Sequence, residues 1–280
     1  MIISLMSRQG GSGRSTLTFN LASAAAATGL NVLVIEADPQ GSIAHILRRR
    51  SVSSTKTLSD TLITFISCTR AATLQILDRA RGEYSAIFID PGRGNNTFLR
   101  KLASQSDLVF VPLSDLEGTR TELPLLKQLV RIKSNGARVP VLTAKTKYQN
   151  PKLHAELNLK LPSSISKHIT ESSILLRYNV SYDNASRLGL SVIDQAPMST
   201  TTRSLKKLYT EMTLSYRDTM RRLLLVSDMP DIEFQPVFEK VLSIPGLQEG
   251  IISGTISNIF EARAVILAAT RPKTSKLKRI

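Results

Sequence analysis

Short, uninterrupted hydrophobic runs alternate with longer helix-forming stretches along most of the chain. Each run is apolar at successive positions, which predicts strands that are buried on both faces. The predicted strands are Ile2–Met6, Val32–Ile35, Ala86–Ile89, Leu108–Pro112 and Val139–Thr143. We expect helices at Thr16–Thr28, Leu58–Ala80, Asn96–Ser104 and Thr119–Ser134.

This alternation of strands and helices predicts an α/β fold with a mostly parallel, twisted sheet and helices on both of its faces. Two further strands are expected near Ile165–Ile169 and Ser191–Ile193. A long helix ending near Val226 precedes Pro230 and Pro236. We therefore expect one domain over residues 1–226 and a C-terminal extension over 227–280, which ends in a basic tail.

Composition and charge narrow the classes of function. The 280 residues include 37 Lys and Arg against 22 Asp and Glu, a net charge of +15, which favours a polyanionic partner such as nucleic acid or anionic lipid. The single cysteine, Cys68, excludes an internal disulfide and an iron–sulfur cluster held by the chain's own thiolates, as an electron-transfer reductase would need. With no long apolar span and no secretory signal pattern, a cytoplasmic protein without a transmembrane segment is expected.

A glycine-rich segment between the first predicted strand and helix carries the strongest chemical signal. Glycines at such a junction let backbone N–H groups and a helix N-terminus point at one phosphate. The candidate nucleotide-binding residues are Gly10, Gly11, Ser12, Gly13, Arg14, Ser15 and Thr16. In the usual phosphate-binding loop a lysine precedes the Ser or Thr that holds Mg²⁺, and here Arg14 and Ser15 occupy those positions.

Two carboxylates follow buried strands. Asp38 and Asp90 lie at the C-terminal ends of predicted strands, which is where open α/β sheets bind ligands. A carboxylate in such a position needs a cation or donors, and Mg²⁺ is a natural partner. Ser15, Asp38 and Asp90 are therefore the candidate metal ligands.

Together these segments resemble the ParA/MinD family of deviant Walker P-loop ATPases, and most closely its ParA-type DNA-partition branch, over about residues 1–225. The family's first motif appears as Gln9-Gly10-Gly11-Ser12-Gly13-Arg14-Ser15-Thr16 and its second as Glu36-Ala37-Asp38-Pro39-Gln40-Gly41. The resemblance implies that ATP and Mg²⁺ bind, that Asp38 positions the attacking water, and that Asp90 is the Walker B aspartate. Arg14 and Asp38 are accordingly the candidate catalytic residues.

The sequence departs from the family pattern at three basic positions. The signature lysine, which in the family reaches the partner's phosphates across a dimer interface, falls on Gln9, and Arg8 is adjacent to it. The Walker A lysine is Arg14. A family position implicated in DNA contact falls on Ser181, so that such contact would depend on neighbours such as Arg177 and Arg187. These departures imply weak hydrolysis.

The last long helix gives a separate argument for DNA binding. At 100° per residue, five basic side chains fall within an arc of about 100°. They are Arg203, Lys206, Lys207, Arg217 and Arg221. Leu205, Leu208, Tyr209, Met212, Tyr216, Met220 and Leu223 lie opposite. Few aromatic residues accompany the charges, which favours non-specific contact with the duplex backbone over stacking on single-stranded bases.

The sequence therefore predicts a ParA-like partition ATPase that forms a homodimer on binding nucleotide and binds DNA non-specifically. A centromere-binding partner protein and association with the nucleoid are expected from the resemblance. Two alternatives stay open. One is a non-hydrolysing nucleotide-binding DNA module, and the other is a MinD-like membrane-associated positioning ATPase whose anchor lies near Asn258–Thr270.

Overall fold

The computed structural model describes residues 1–50, 57, 61–94, 96–114, 116–134, 137–148 and 161–224. Side chains at 116, 134, 137, 148 and 219–224 lie outside this description. Two compact units are distinguished: one comprises residues 1–134 and 138–219, and the other comprises 135–137 and 220–280. The predicted domain boundary at 226 and the extension over 227–280 lie outside the described residues and stay a prediction.

The first unit is an α/β fold built on a parallel sheet. The strands of the described residues are β1 (Ile2–Leu5), β2 (Val32–Glu36), β3 (Ile63–Ser67), β4 (Ala86–Asp90), β5 (Leu108–Leu113), β6 (Lys133–Ser134), β7 (Ala137–Arg138), β8 (Val141–Tyr148), β9 (Thr170–Glu171) and β10 (Leu176–Arg177). The order in the main sheet is β10-β8-β5-β1-β4-β2-β3, with β9 also paired to β8, and every pair is parallel. The predicted fold class is confirmed.

Nine helices accompany these strands in the described part of the chain. They are α1 (Arg14–Ala26), α2 (Ser42–Arg50), α3 (Arg70–Ala80), α4 (Asn96–Gln105), α5 (Leu116–Leu129), α6 (Ser163–Ser166), α7 (Val180–Arg187), α8 (Val192–Gln195) and α9 (Thr200–Leu224). None of them combines the length and the hydropathy that crossing a bilayer requires.

Successive strand residues point into two separate cores, because side chains alternate across a sheet. In β4, Phe88 joins the core formed with α1, α8 and α9, whereas Ile87 and Ile89 join the core formed with α3, α4 and α5. The ring centroids of Phe88 and Tyr209 are 6.3 Å apart, so α9 packs directly on the centre of the sheet.

Three predictions about local structure are wrong. The helix expected over Leu58–Ala80 contains β3, whose β-branched and aromatic residues pair with β2 before Thr69 caps α3 through its hydroxyl. The strand expected at Ser191–Ile193 is instead the start of α8, because Ser191 Oγ accepts from Asp194 N in a capping arrangement. Near Ile165–Ile169 the chain forms α6, and β9 begins only at Thr170.

Candidate functional site

The loop between β1 and α1 borders a cavity of about 330 Å³. Gly11 and Gly13 have φ of 71° and 85°, a left-handed conformation that glycine adopts without steric cost. Gly13 immediately precedes α1, so the loop delivers the helix N-terminus to the cavity edge. Of the seven residues predicted to bind nucleotide, Gly10 is not part of the cavity lining. The other six line the cavity: Gly11, Ser12, Gly13, Arg14, Ser15 and Thr16.

Two hydroxyls at the cavity wall lack hydrogen-bond partners within the described residues. Thr146 Oγ1 and Tyr182 Oη are both buried, and both residues line the cavity. Burial raises the pKa of the Tyr182 hydroxyl well above its ordinary value, so that it stays protonated and able to donate. Since buried polar groups are nearly always hydrogen-bonded, these hydroxyls are suited to a polar ligand in the cavity.

Arg14 turns away from the loop and into the protein. Its Nε donates to Asp90 Oδ1 at 2.5 Å and its Nη2 to Asp38 Oδ2 at 2.7 Å, while Nη1 donates to the Ser7 carbonyl at 3.2 Å. The Arg14 residue is 6% exposed. This differs from the expected role of Arg14 as the cation that reaches phosphates, because each nitrogen of the guanidinium already donates to a protein oxygen.

The two aspartates are brought together as predicted, but around a guanidinium. Asp90 is fully buried at the end of β4, and Asp38 lies just beyond the end of β2. These two strands are parallel neighbours in the sheet. The second oxygen of Asp38 accepts from Gln40 N at 3.0 Å. Arg14 therefore neutralises one of two clustered negative charges and is hydrogen-bonded to both.

This arrangement does not fit the magnesium site predicted from Ser15, Asp38 and Asp90. Mg²⁺ requires an octahedral shell of oxygen ligands, yet an oxygen of each aspartate is engaged by a positively charged donor. The other oxygen of Asp90 is enclosed, with no hydrogen-bond partner among the described residues. Of the predicted ligands, only Ser15 stands outside the ion pairs, and no cluster of His, Cys, Asp and Glu suited to a metal occurs in the described part of the chain.

A buried glutamate that sequence reasoning missed holds the start of the loop. Glu122 of α5 accepts from Arg8 N and Gln9 N, each at 2.8 Å, and from Ser7 Oγ at 2.6 Å. Gln9 is further fixed by Ser114, whose hydroxyl donates to the Gln9 side-chain oxygen at 2.7 Å. Glu122 is separated from Ser7 by 115 positions, and no local pattern around it signals this contact.

Two cationic side chains that were not predicted also reach the loop. Lys147, at the end of β8, donates from Nζ to the Gly11 carbonyl. The Arg93 guanidinium lies against Gly10, where an added Cβ would be 2.5 Å from Arg93 Nη1. Both side chains come from the ends of other strands, which the topology brings to the same edge of the sheet.

Glu36, the first carboxylate of the second motif, stabilises the N-terminus of α2. Its oxygens accept from Ile43 N at 2.7 Å and Ala44 N at 3.0 Å, so it caps the first turn of α2. Burial raises the pKa of Glu36, the nearby charges of Asp90 and Asp38 raise it further, and the two backbone hydrogen bonds oppose them. Glu36 thus fixes the chain on the far side of Asp38.

The predicted DNA-binding face is partly visible on α9. Arg203, Lys206 and Lys207 are exposed, Arg217 is partly buried, and the side chain of Arg221 lies outside the described residues. On the opposite side Leu205, Leu208, Tyr209 and Met212 are buried, as predicted. Ser181 lies in α7 with Arg187, whereas Arg177 lines the cavity.

Comparison with known proteins relates this chain to a family of nucleotide-binding domains. The profile of the CobQ/CobB/MinD/ParA nucleotide binding domain matches residues 3–265. The fold resembles a ParA family ATPase from Chlorobium tepidum TLS, with 16% identity, a TM-score of 0.56 and coverage of 75% of this chain and 98% of that one. No curated protein sequence is significantly similar to this chain.

Two further solved structures are similar to the same extent. The septum site-determining protein MinD from Pyrococcus horikoshii OT3, complexed with Mg-ADP, has 15% identity and a TM-score of 0.55, covering 75% of this chain and 95% of that one. A protein assigned to plasmid partition in Borrelia burgdorferi B31, bound to AMPPNP, has 15% identity and a TM-score of 0.54, covering 78% and 98%. At these identities the likeness is one of fold.

The buried ion pairs of Arg14 predict a specific pattern of stability. Arg14→Met should lower the free energy of unfolding by about 3–5 kcal/mol, because it leaves Asp38 and Asp90 without their shared cation. Adding Asp38→Asn and Asp90→Asn to this variant should restore much of the loss, since the uncompensated charge is removed. Urea denaturation followed by far-UV circular dichroism measures both, and equal destabilisation in the single and triple variants would contradict this account.

Proposed function

Because this chain belongs to the CobQ/CobB/MinD/ParA nucleotide-binding domain family, we propose that the cavity beside Gly10–Thr16 binds ATP. The glycine-rich loop at the start of α1 suits the phosphates, and the unpartnered hydroxyls of Thr146 and Tyr182 suit the polar groups of a nucleotide. The sequence predicts that Mg²⁺ binds with the nucleotide. Of its three predicted side-chain ligands only Ser15 remains a candidate, because Asp38 and Asp90 form ion pairs with Arg14.

We further propose that the protein is a ParA-like partition protein that dimerises with bound nucleotide and binds duplex DNA non-specifically. The observation that carries this step is the exposed basic face of α9, formed by Arg203, Lys206 and Lys207, on a helix whose other side is firmly packed. Among the structures of similar fold are a ParA family ATPase and a protein assigned to plasmid partition. In this proposal the protein positions or segregates plasmid or chromosomal DNA in the cytoplasm, associates with the nucleoid and meets a centromere-binding partner.

Hydrolysis, in this proposal, is slow. Phosphoryl transfer depends on a positioned nucleophile and on charge that stabilises the transition state. Asp38, the residue assigned to the attacking water, is bound to Arg14, and Arg14 is thereby withdrawn from the phosphates. The same contact favours a second candidate function, a nucleotide-binding DNA module that does not hydrolyse ATP. The membrane-associated alternative depends on residues 258–270, which lie outside the described residues.

ATP binding should depend little on divalent metal. We expect saturable binding of ATP, with an affinity that falls by less than about tenfold when EDTA replaces Mg²⁺, because Arg14 already neutralises the carboxylates that would attract the ion. Equilibrium titration of the full chain with a fluorescent ATP analogue measures both affinities. Absence of saturable binding at millimolar nucleotide in either buffer would contradict the proposed nucleotide site.

The rate of ATP hydrolysis distinguishes the two candidate functions, the slow ATPase and the non-hydrolysing DNA module. For the ATPase we expect slow phosphate release that duplex DNA alters and that Asp38→Asn abolishes, since the substitution removes the base-like oxygen while preserving shape. His45→Ala, a change at an exposed position on the helix that follows Asp38 and outside the cavity lining, is the control and should retain turnover. ATP binding without phosphate release in the wild type would favour the non-hydrolysing module.

DNA affinity should reside in the exposed basic face of α9. Replacing Arg203, Lys206 and Lys207 with Glu should weaken duplex binding more than about tenfold at low salt and reduce the slope against log salt by about three, without changing sequence preference. Fluorescence anisotropy with two unrelated duplexes tests this. The matched control reverses Arg100, Lys101 and Lys127, which are exposed on the helices of the opposite sheet face, and a loss there of equal size would mean that net charge alone binds DNA.

A further inference from the structure

Lys147 reaches the glycine loop from outside the recognised motifs. It lies one residue before the end of β8, and its Nζ donates to the carbonyl oxygen of Gly11. A Cβ placed on Gly13 would be 3.6 Å from Lys147 Cε, and one on Gly11 would be 3.9 Å from Nζ. The lysine side chain therefore runs along the two left-handed glycines that shape the phosphate cradle.

The backbone at Lys147 is held in an unfavourable conformation. Its φ is 56°, and among the described residues it is the sole non-glycine with a positive φ. A lysine in the left-handed region costs about 1–2 kcal/mol, and such positions tend to occur at ligand sites. Glycine would occupy this position without that cost, so packing alone does not explain a lysine here.

The charge of Lys147 is available to a ligand. Its Nζ donates to the neutral Gly11 carbonyl, and within the described residues it forms no ion pair with a carboxylate. Lys147 is exposed and lines the cavity. Arg14, the basic residue within the loop itself, has its guanidinium nitrogens bonded to Asp90, Asp38 and Ser7.

We propose that Lys147 supplies the ammonium that binds the phosphates of a nucleoside di- or triphosphate, in place of the loop's own basic residue. This inference rests on the proposed nucleotide site. When the ligand enters, Nζ exchanges the Gly11 carbonyl for a phosphate oxygen, which forms a stronger, charge-assisted hydrogen bond. The cation that the family pattern places at Arg14 is thus delivered from β8, and Arg14 stays with the carboxylates.

The test measures how tightly variants of the full chain bind ligands that carry three, two or no phosphates. Lys147→Gly removes the ammonium and also relieves the left-handed backbone, so it should fold with unchanged or increased thermal stability. We expect it to weaken ATP and ADP binding by about tenfold to a hundredfold and to leave adenosine binding unchanged, because the lost contact is to phosphate. Lys147→Arg should recover part of the affinity. Isothermal titration calorimetry with ATP, ADP and adenosine measures each case.

Two comparisons make the result decisive. Lys145→Ala, two residues earlier on the same strand and outside the cavity lining, makes the same change in net charge and should retain ATP affinity. If Lys147→Gly binds ATP as the wild type does, or if Arg93→Ala carries the whole loss instead, the assignment of Lys147 is overturned. If the wild type itself binds neither ATP nor ADP, it is the proposed nucleotide site that fails.

Discussion

The arrangement of the site depends on one buried cation between two carboxylates. Asp90 ends a strand at the centre of the sheet with no exposure to solvent, and Asp38 lies beside it at 10% side-chain exposure. Two such charges repel each other and are costly to bury without a counterion. Arg14 satisfies this constraint from inside the protein, and its planar fork lets a single side chain bond to both carboxylates. The first turn of α1, and with it the loop, is thereby tied to β2 and β4.

Tying Arg14 to the carboxylates changes where positive charge meets the cavity. A lysine at this position would carry its charge on one terminal nitrogen. The guanidinium of Arg14 instead donates its hydrogen bonds to Asp38, Asp90 and Ser7. Three other cationic side chains of the described residues line the cavity: Lys147 and Arg177 lie at the ends of β8 and β10, and Arg93 follows β4. The loop therefore combines two left-handed glycines with an unusual distribution of charge, in which its own basic residue is bonded to carboxylates of the protein.

Local patterns predicted the central sheet well and the long-range contacts poorly. The five buried strands and the glycine loop follow from continuous apolar runs and turn residues, which are signals carried by neighbouring positions. β3 was mistaken for helix because its pairing with β2, not its own pattern, decides its conformation. Asp38 and Asp90 could be placed together because parallel strands end at one edge. Glu122 and Lys147 reach the loop across more than 100 positions, and nothing near them in the chain indicates that approach.

The proposed DNA surface and the proposed nucleotide site pack on the same core. Phe88 lies two residues before Asp90 on β4 and packs against Tyr209 of α9, where Leu205, Leu208 and Met212 are also fully or almost fully buried. Close packing of this kind leaves little freedom for α9 to move relative to β4. If DNA affinity depends on nucleotide, the dependence is therefore more readily produced by joining two copies of the basic face than by displacing the helix. Two linked faces raise the effective concentration of phosphate-binding groups on one duplex, and this effect needs no change within either copy.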